Sequence, residues 1–248
     1  MRLNSLSALL GIAAVTIVGT SPVQAAPSLY KVNSGVTSLQ LPQASLDALA
    51  SLGLKFDSDL DTVSPAPGFG VGFAVNSSTD FTFSYDSATQ AFAPISGTIE
   101  HSGGIRFTVD QDKLNYPSPL EVGDFSVGFD DQGFFLRDTL TTGLRLFDIV
   151  PTGSLTLTDD TLTISEFDVK VAKQFNDSLS AATLAGTDLG LTGSKLGTAT
   201  TKLVSKKVSE PGVVLGLLAV TATALAANRR RLSNKNFKLA AQPSSPSL

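Results

Sequence analysis

Few residues in this chain combine the type and spacing that chemistry needs. His101 is the single histidine among 248 residues and stands in Gly97-Thr98-Ile99-Glu100-His101-Ser102-Gly103-Gly104. Carboxylate, imidazole and hydroxyl are the parts of a nucleophilic triad. Sequence neighbours on a strand, however, point to opposite faces, so neither Glu100 nor Ser102 reaches the His101 ring. No nucleophile-elbow motif is present, and His101 reads as a strand residue near a hairpin turn. Asp57, Asp59 and Asp61 fall at positions one, three and five of a calcium loop. The sixth position is Thr62 instead of Gly and the twelfth is Gly68 instead of Glu. A solvated acidic turn is the expectation there, with a looser calcium site as the weaker alternative. Asp130-Asp131 and Asp159-Asp160 each read as a hairpin turn. With no cysteine, disulfides, thiolate metal sites and cysteine nucleophiles are excluded. No catalytic residue and no cofactor are assigned, and the chain reads as a non-enzyme.

The elements that hold these residues follow from composition and period. Charged residues make up only 16%, against about 25% in ordinary globular domains, so Ser, Thr, Gly and Asn supply the polar surface. All 22 acidic residues lie between Asp47 and Glu210, while only 12 of the 18 basic residues lie between Ala26 and Glu210, so that stretch carries a balance of −10. Such an acidic body excludes nucleic acid as a partner, which needs clustered Lys and Arg.

Residues 26–68 form a lead-in, with a short helix over Ala44–Leu52 capped by Ser45 and a stiff Ser64-Pro65-Ala66-Pro67-Gly68 turn. From Phe69 the apolar residues recur with period two: Phe69, Val71, Phe73, Val75; Phe81, Phe83, Tyr85; Ile105, Phe107, Val109; Phe125, Val127, Phe129; Leu162, Ile164. Eight to ten short strands broken by Gly, Asn and Asp predict an all-β, antiparallel β-sandwich or barrel-like domain over 69–204. Fifteen Phe and no Trp, alternating with polar residues, suit a core better than a sugar-stacking platform. Ala181 to Lys202 reads as a last strand pair with Leu184, Leu189, Leu191 and Leu196 inward.

Both ends carry addresses. Arg2, the apolar Leu6–Val18 run and Val23-Gln24-Ala25 make residues 1–25 a signal peptide cleaved after Ala25. At the other end, residues 205–231 hold Ser209-Glu210-Pro211-Gly212, the apolar run Val213–Ala227, and Arg229, Arg230 and Arg231. Fifteen apolar residues are short for a membrane helix, and the arginines would stay inside. This order of motif, apolar helix and basic cluster resembles the PEP-CTERM sorting signal, with Ser209 in place of the usual first proline and a 232–248 extension, expected as a disordered cytoplasmic tail. The segment from Gly97 through Phe147 resembles middle domains of cyanobacterial proteins that bear this tail. The resemblance implies transient anchoring in the membrane through the C-terminal helix and cleavage near Glu210-Pro211 by an exosortase-type enzyme. The partners are then signal peptidase, the secretion translocon, that enzyme and extracellular polysaccharide. The function expected is a structural or adhesive protein of the cell surface or extracellular matrix. The alternative is a secreted carbohydrate-binding module or hydrolase on a β-sandwich, which would need paired carboxylates.

Overall fold

The computed structural model describes residues 27–209. The signal cleavage point Ala25, the motif Glu210-Pro211-Gly212, the arginines 229–231 and both expected terminal helices lie outside the described residues. Among the described residues, no helix is long and apolar enough to cross a membrane.

The strands are β1 (Ser28–Gln40), β2 (Leu54–Leu60), β3 (Val71–Val75), β4 (Thr82–Asp86), β5 (Ala91–Ser96), β6 (Ile99–Ser102) and β7 (Gly104–Val109). They continue with β8 (Leu120–Gly123), β9 (Ser126–Asp130), β10 (Gly133–Arg137), β11 (Arg145–Pro151), β12 (Leu155–Thr158), β13 (Thr161–Val171) and β14 (Lys195–Lys207). Two helices join them, α1 (Gln43–Leu52) and α2 (Lys173–Ala182).

Every pairing is antiparallel. The order β1-β3-β6-β9-β10-β11-β13-β14, with β14 returning to β1, closes an eight-stranded barrel. The expected sandwich-or-barrel choice resolves to the barrel. Eight strands enclose an interior just wide enough for side chains or one small ligand. At one end, the β4–β5 hairpin and β12 extend the wall from β1 and β13, leaving β5 and β12 as free edges. At the other end, α1, α2 and the separate β2-β7-β8 sheet cover the barrel around Leu54, Phe107, Leu114, Leu146 and Leu179.

The alternating residues of the sequence are the inward set. Phe81, Phe83, Ile105, Phe107, Leu162 and Val169 are all buried. The two Asp pairs lie in hairpin turns, β9–β10 and β12–β13; Asp159 and Asp160 adopt φ 47° and 63°, a left-handed pair that aspartate tolerates.

Other expectations are corrected. Residues 26–68 are no separate lead-in: β1 pairs with β3, β4 and β14, and its Val32 is fully buried. A bulge between Val32 and Ser34 breaks the period there, and polar Lys31, Asn33 and Ser34 hide the strand in the sequence. Nor does the barrel end at 204, because β14 runs to Lys207 with Ser205 buried. Helix α1 begins earlier than expected, behind Pro42; Ser45 caps nothing and only donates its backbone N–H to the Pro42 carbonyl. The segment before Thr183 is helical, with Phe175, Leu179 and Ala182 buried on one face, and Leu184 is 68% exposed. Only Leu189, Leu191 and Leu196 of the expected inward set pack against the core. The Asp188 carboxylate accepts from Asn176 Nδ2 at 3.0 Å and from Gly190 N at 3.0 Å, tying the 183–194 connection to α2.

Candidate functional site

The barrel encloses a cavity of about 150 Å³ lined by side chains from nearly every wall strand. Its lining is apolar apart from Thr37, His101 and Thr201, and contains no Asp, Glu, Lys or Arg. Interiors pack to crystal density with few voids larger than a water, so a lumen of this size is a departure from ordinary core packing.

Aromatic rings dominate the end near β4–β5. Phe81 lies 6.3 Å from Phe83, 6.1 Å from Phe129 and 6.4 Å from Phe134 by ring centroids. Phe92 of the edge strand β5 lies 5.2 Å from Phe83 and 6.5 Å from Phe134. Phe92 and Leu155 are half-buried, and Pro151 is exposed, yet all three line the cavity. The lumen's lining therefore includes partly exposed residues on the two free-edge strands, β5 and β12.

His101 sits on β6 with its ring in the lumen wall, 3% exposed. Its Nδ1 is 3.1 Å from the Phe125 carbonyl oxygen. A carbonyl only accepts, so Nδ1 carries the proton and donates. Nε2 then accepts from the Thr37 hydroxyl at 2.8 Å, and Thr37 Oγ1 lies 3.0 Å from Thr201 Oγ1. Burial pushes the His101 pKa down to about 4, against the raising pull of the Phe125 carbonyl and of Glu100. The ring is thus a neutral wall residue with both nitrogens engaged. Strand alternation sends the Glu100 carboxylate away, to accept from Ser126 Oγ at 2.7 Å, as the sequence spacing requires.

Asp57, Asp59 and Asp61 do not converge. They alternate along β2 and its end, all exposed, in a strand and not in the expected turn. Carboxylates two residues apart on a strand are about 7 Å apart, whereas a calcium loop curls its ligands to within about 2.5 Å of one centre. Asp59 instead accepts from Thr62 Oγ1 at 2.7 Å, which lowers its pKa. Among the described residues no group of three or more His, Cys, Asp or Glu could hold a metal ion.

Sequence reasoning passed over Asp138. It is fully buried, and its carboxyl accepts from Gly123 N at 2.7 Å, Leu140 N at 3.1 Å and Thr141 N at 3.3 Å. Thr142 adds its backbone N at 2.5 Å and Oγ1 at 2.6 Å. The run Asp138-Thr139-Leu140-Thr141-Thr142 holds a short acceptor before several backbone donors, and that local pattern was the available signal.

No protein-family model matches the sequence, and no curated protein matches it. Among solved structures, the crystal structure of the C-terminal domain of HtaA from Corynebacterium glutamicum is similar, with 14% identity and a TM-score of 0.44 over 71% of this chain and 99% of that one.

Proposed function

We propose that this chain is an exported, non-enzymatic protein of the cell surface or extracellular matrix, delivered and briefly anchored by its C-terminal sorting tail. The observation that carries the reading is the pairing of the first strand with the last. Tyr30 stands opposite Lys207 and Lys31 opposite Lys206, so both chain ends leave the barrel side by side at one end. That arrangement lets both ends face one membrane while the signal peptide and the tail are still attached. Signal cleavage after Ala25 would leave two residues before β1, and only 208–212 separate β14 from the apolar run starting at Val213. Five extended residues span at most about 18 Å, which keeps the barrel close to the membrane while the tail is inserted. The exposed Lys31, Lys206 and Lys207 lie at that same end of an otherwise acidic body, a placement suited to anionic headgroups.

The non-enzymatic part rests on the lumen. Its one ionisable group, His101, is neutral and already satisfied by internal partners, so it offers neither a base nor a nucleophile's activator. The test is localisation and intact mass in the native host. Glu210→Ala with Pro211→Ala should leave protein uncut in the membrane, and replacing Arg229, Arg230 and Arg231 by Ser should release or divert it. Wild-type processing of both variants would refute the sorting reading.

A further inference from the structure

The barrel lumen has a size and a lining that the surface role leaves unused. We propose that it is a binding site for one small, neutral, apolar molecule, of about the size of a single aromatic ring. A cavity of about 150 Å³ is of the size that accepts benzene in an apolar protein interior, and it falls well below the 300–1,000 Å³ of pockets for drug-sized ligands. A single ring or a short alkyl chain fits, and a long acyl chain does not.

The lining sets the polarity of the occupant. Phe81, Phe92 and Phe134 offer ring faces and edges at one end of the lumen. Thr37, His101 and Thr201 form the polar side, and their hydrogen-bonding protons are spent on one another and on the Phe125 and Val36 carbonyls. With no lysine, arginine or free donor facing inward, a carboxylate or phosphate would lose its hydration without a partner. A neutral hydrocarbon loses nothing of the kind and gains contact with the walls. Water is a poor occupant for the same reason, since it needs two to four polar partners. Entry would run beside β5 and β12, which pair on one side only and whose half-buried Phe92 and Leu155 line the lumen. Displacing Phe92 there breaks no barrel pairing.

The experiment is methyl NMR on the full chain in lipid nanodiscs, labelled at Ile, Leu and Val and titrated with benzene and separately with sodium benzoate. Benzene should shift the methyls of Ile99, Ile105 and Leu203 and saturate at one molecule per chain, with benzoate binding at least about 100-fold more weakly. Ala199 is 2% exposed and lines the lumen, so Ala199→Phe should abolish the response. Should that variant not fold, the wild-type stoichiometry and the benzoate comparison decide alone. Absence of a saturable benzene shift overturns the proposal. So do equal shifts at the exposed Ile95 and Leu184, or equal binding of benzoate. The sorting experiment reads processing of the tail, so either result can fail without the other.

Discussion

Asp138 and His101 are the two most deeply buried ionisable side chains among the described residues, and the fold accommodates them by opposite means. Asp138 lies in the β10–β11 connection, where successive backbone N–H groups converge on it together with a hydroxyl and the N–H of Gly123. His101 lies in a strand of the barrel wall, where backbone groups are committed to the ladder, so it has one acceptor and one hydroxyl. A loop can bend its donors around a carboxyl. A barrel strand cannot, and the base it buries is held neutral. The difference separates a knot that orders a loop from a wall residue that keeps the lumen uncharged.

The largest effect should come from cutting the knot. Asp138→Ala leaves buried donors without an acceptor, and denaturant unfolding should show a loss of about 4 kcal/mol. Asp138→Asn should lose much of that too, because an amide N–H₂ meets N–H groups. A variant as stable as wild type would erase the contrast between the two sites.

Acid should act next, through His101. The unfolded imidazole titrates near 6.5 and the folded one near 4. Between those values the unfolded chain binds the extra proton, so stability falls as pH drops from 6.5 to 4, by at most about 3 kcal/mol. Comparing wild type with His101→Gln isolates this part, because the carboxylates whose pKa values are lowered, such as Asp188, are common to both. The variant should be markedly flatter in that window, and parallel curves would show that His101 is not held neutral by burial.

A smaller change tests the wall's polar chain. Thr37→Val removes the hydroxyl donated to His101 Nε2 and should cost about 1 kcal/mol in the same unfolding assay. The smallest effect belongs to the row the sequence singled out. Replacing Asp57, Asp59 and Asp61 together by Asn should change stability by no more than about 0.5 kcal/mol, with melting temperatures equal in calcium and in chelator. A calcium-dependent rise in the wild-type melting temperature would restore the metal reading.

Much of the barrel was legible because burial on one face imposes period two. Phe81-Thr82-Phe83-Ser84-Tyr85 and Ile105-Arg106-Phe107-Thr108-Val109 announce their inward faces without help from the rest of the chain. The hairpin turns at Asp130-Asp131 and Asp159-Asp160 were legible for a local reason, the backbone conformations that aspartate tolerates. Strand β1 was not, because its bulge shifts the face of every residue beyond it. Helix α2 was overlooked although Phe175, Leu179 and Ala182 keep helical spacing, since an amphipathic stretch of ten residues is short beside the long β pattern around it.

By itself the sequence determined the all-β class, the inward Phe, Val, Ile and Leu, the acidic body, and the placing of Glu100 and His101 on opposite faces, all consequences of residue type and of the two-residue strand period. Only the tertiary structure decided that the wall closes. Closure depends on β14 finding β1, more than 150 positions away in the chain, and no local pattern encodes a partner at that distance. The lumen, its single neutral histidine and the common exit of both chain ends all follow from that one pairing.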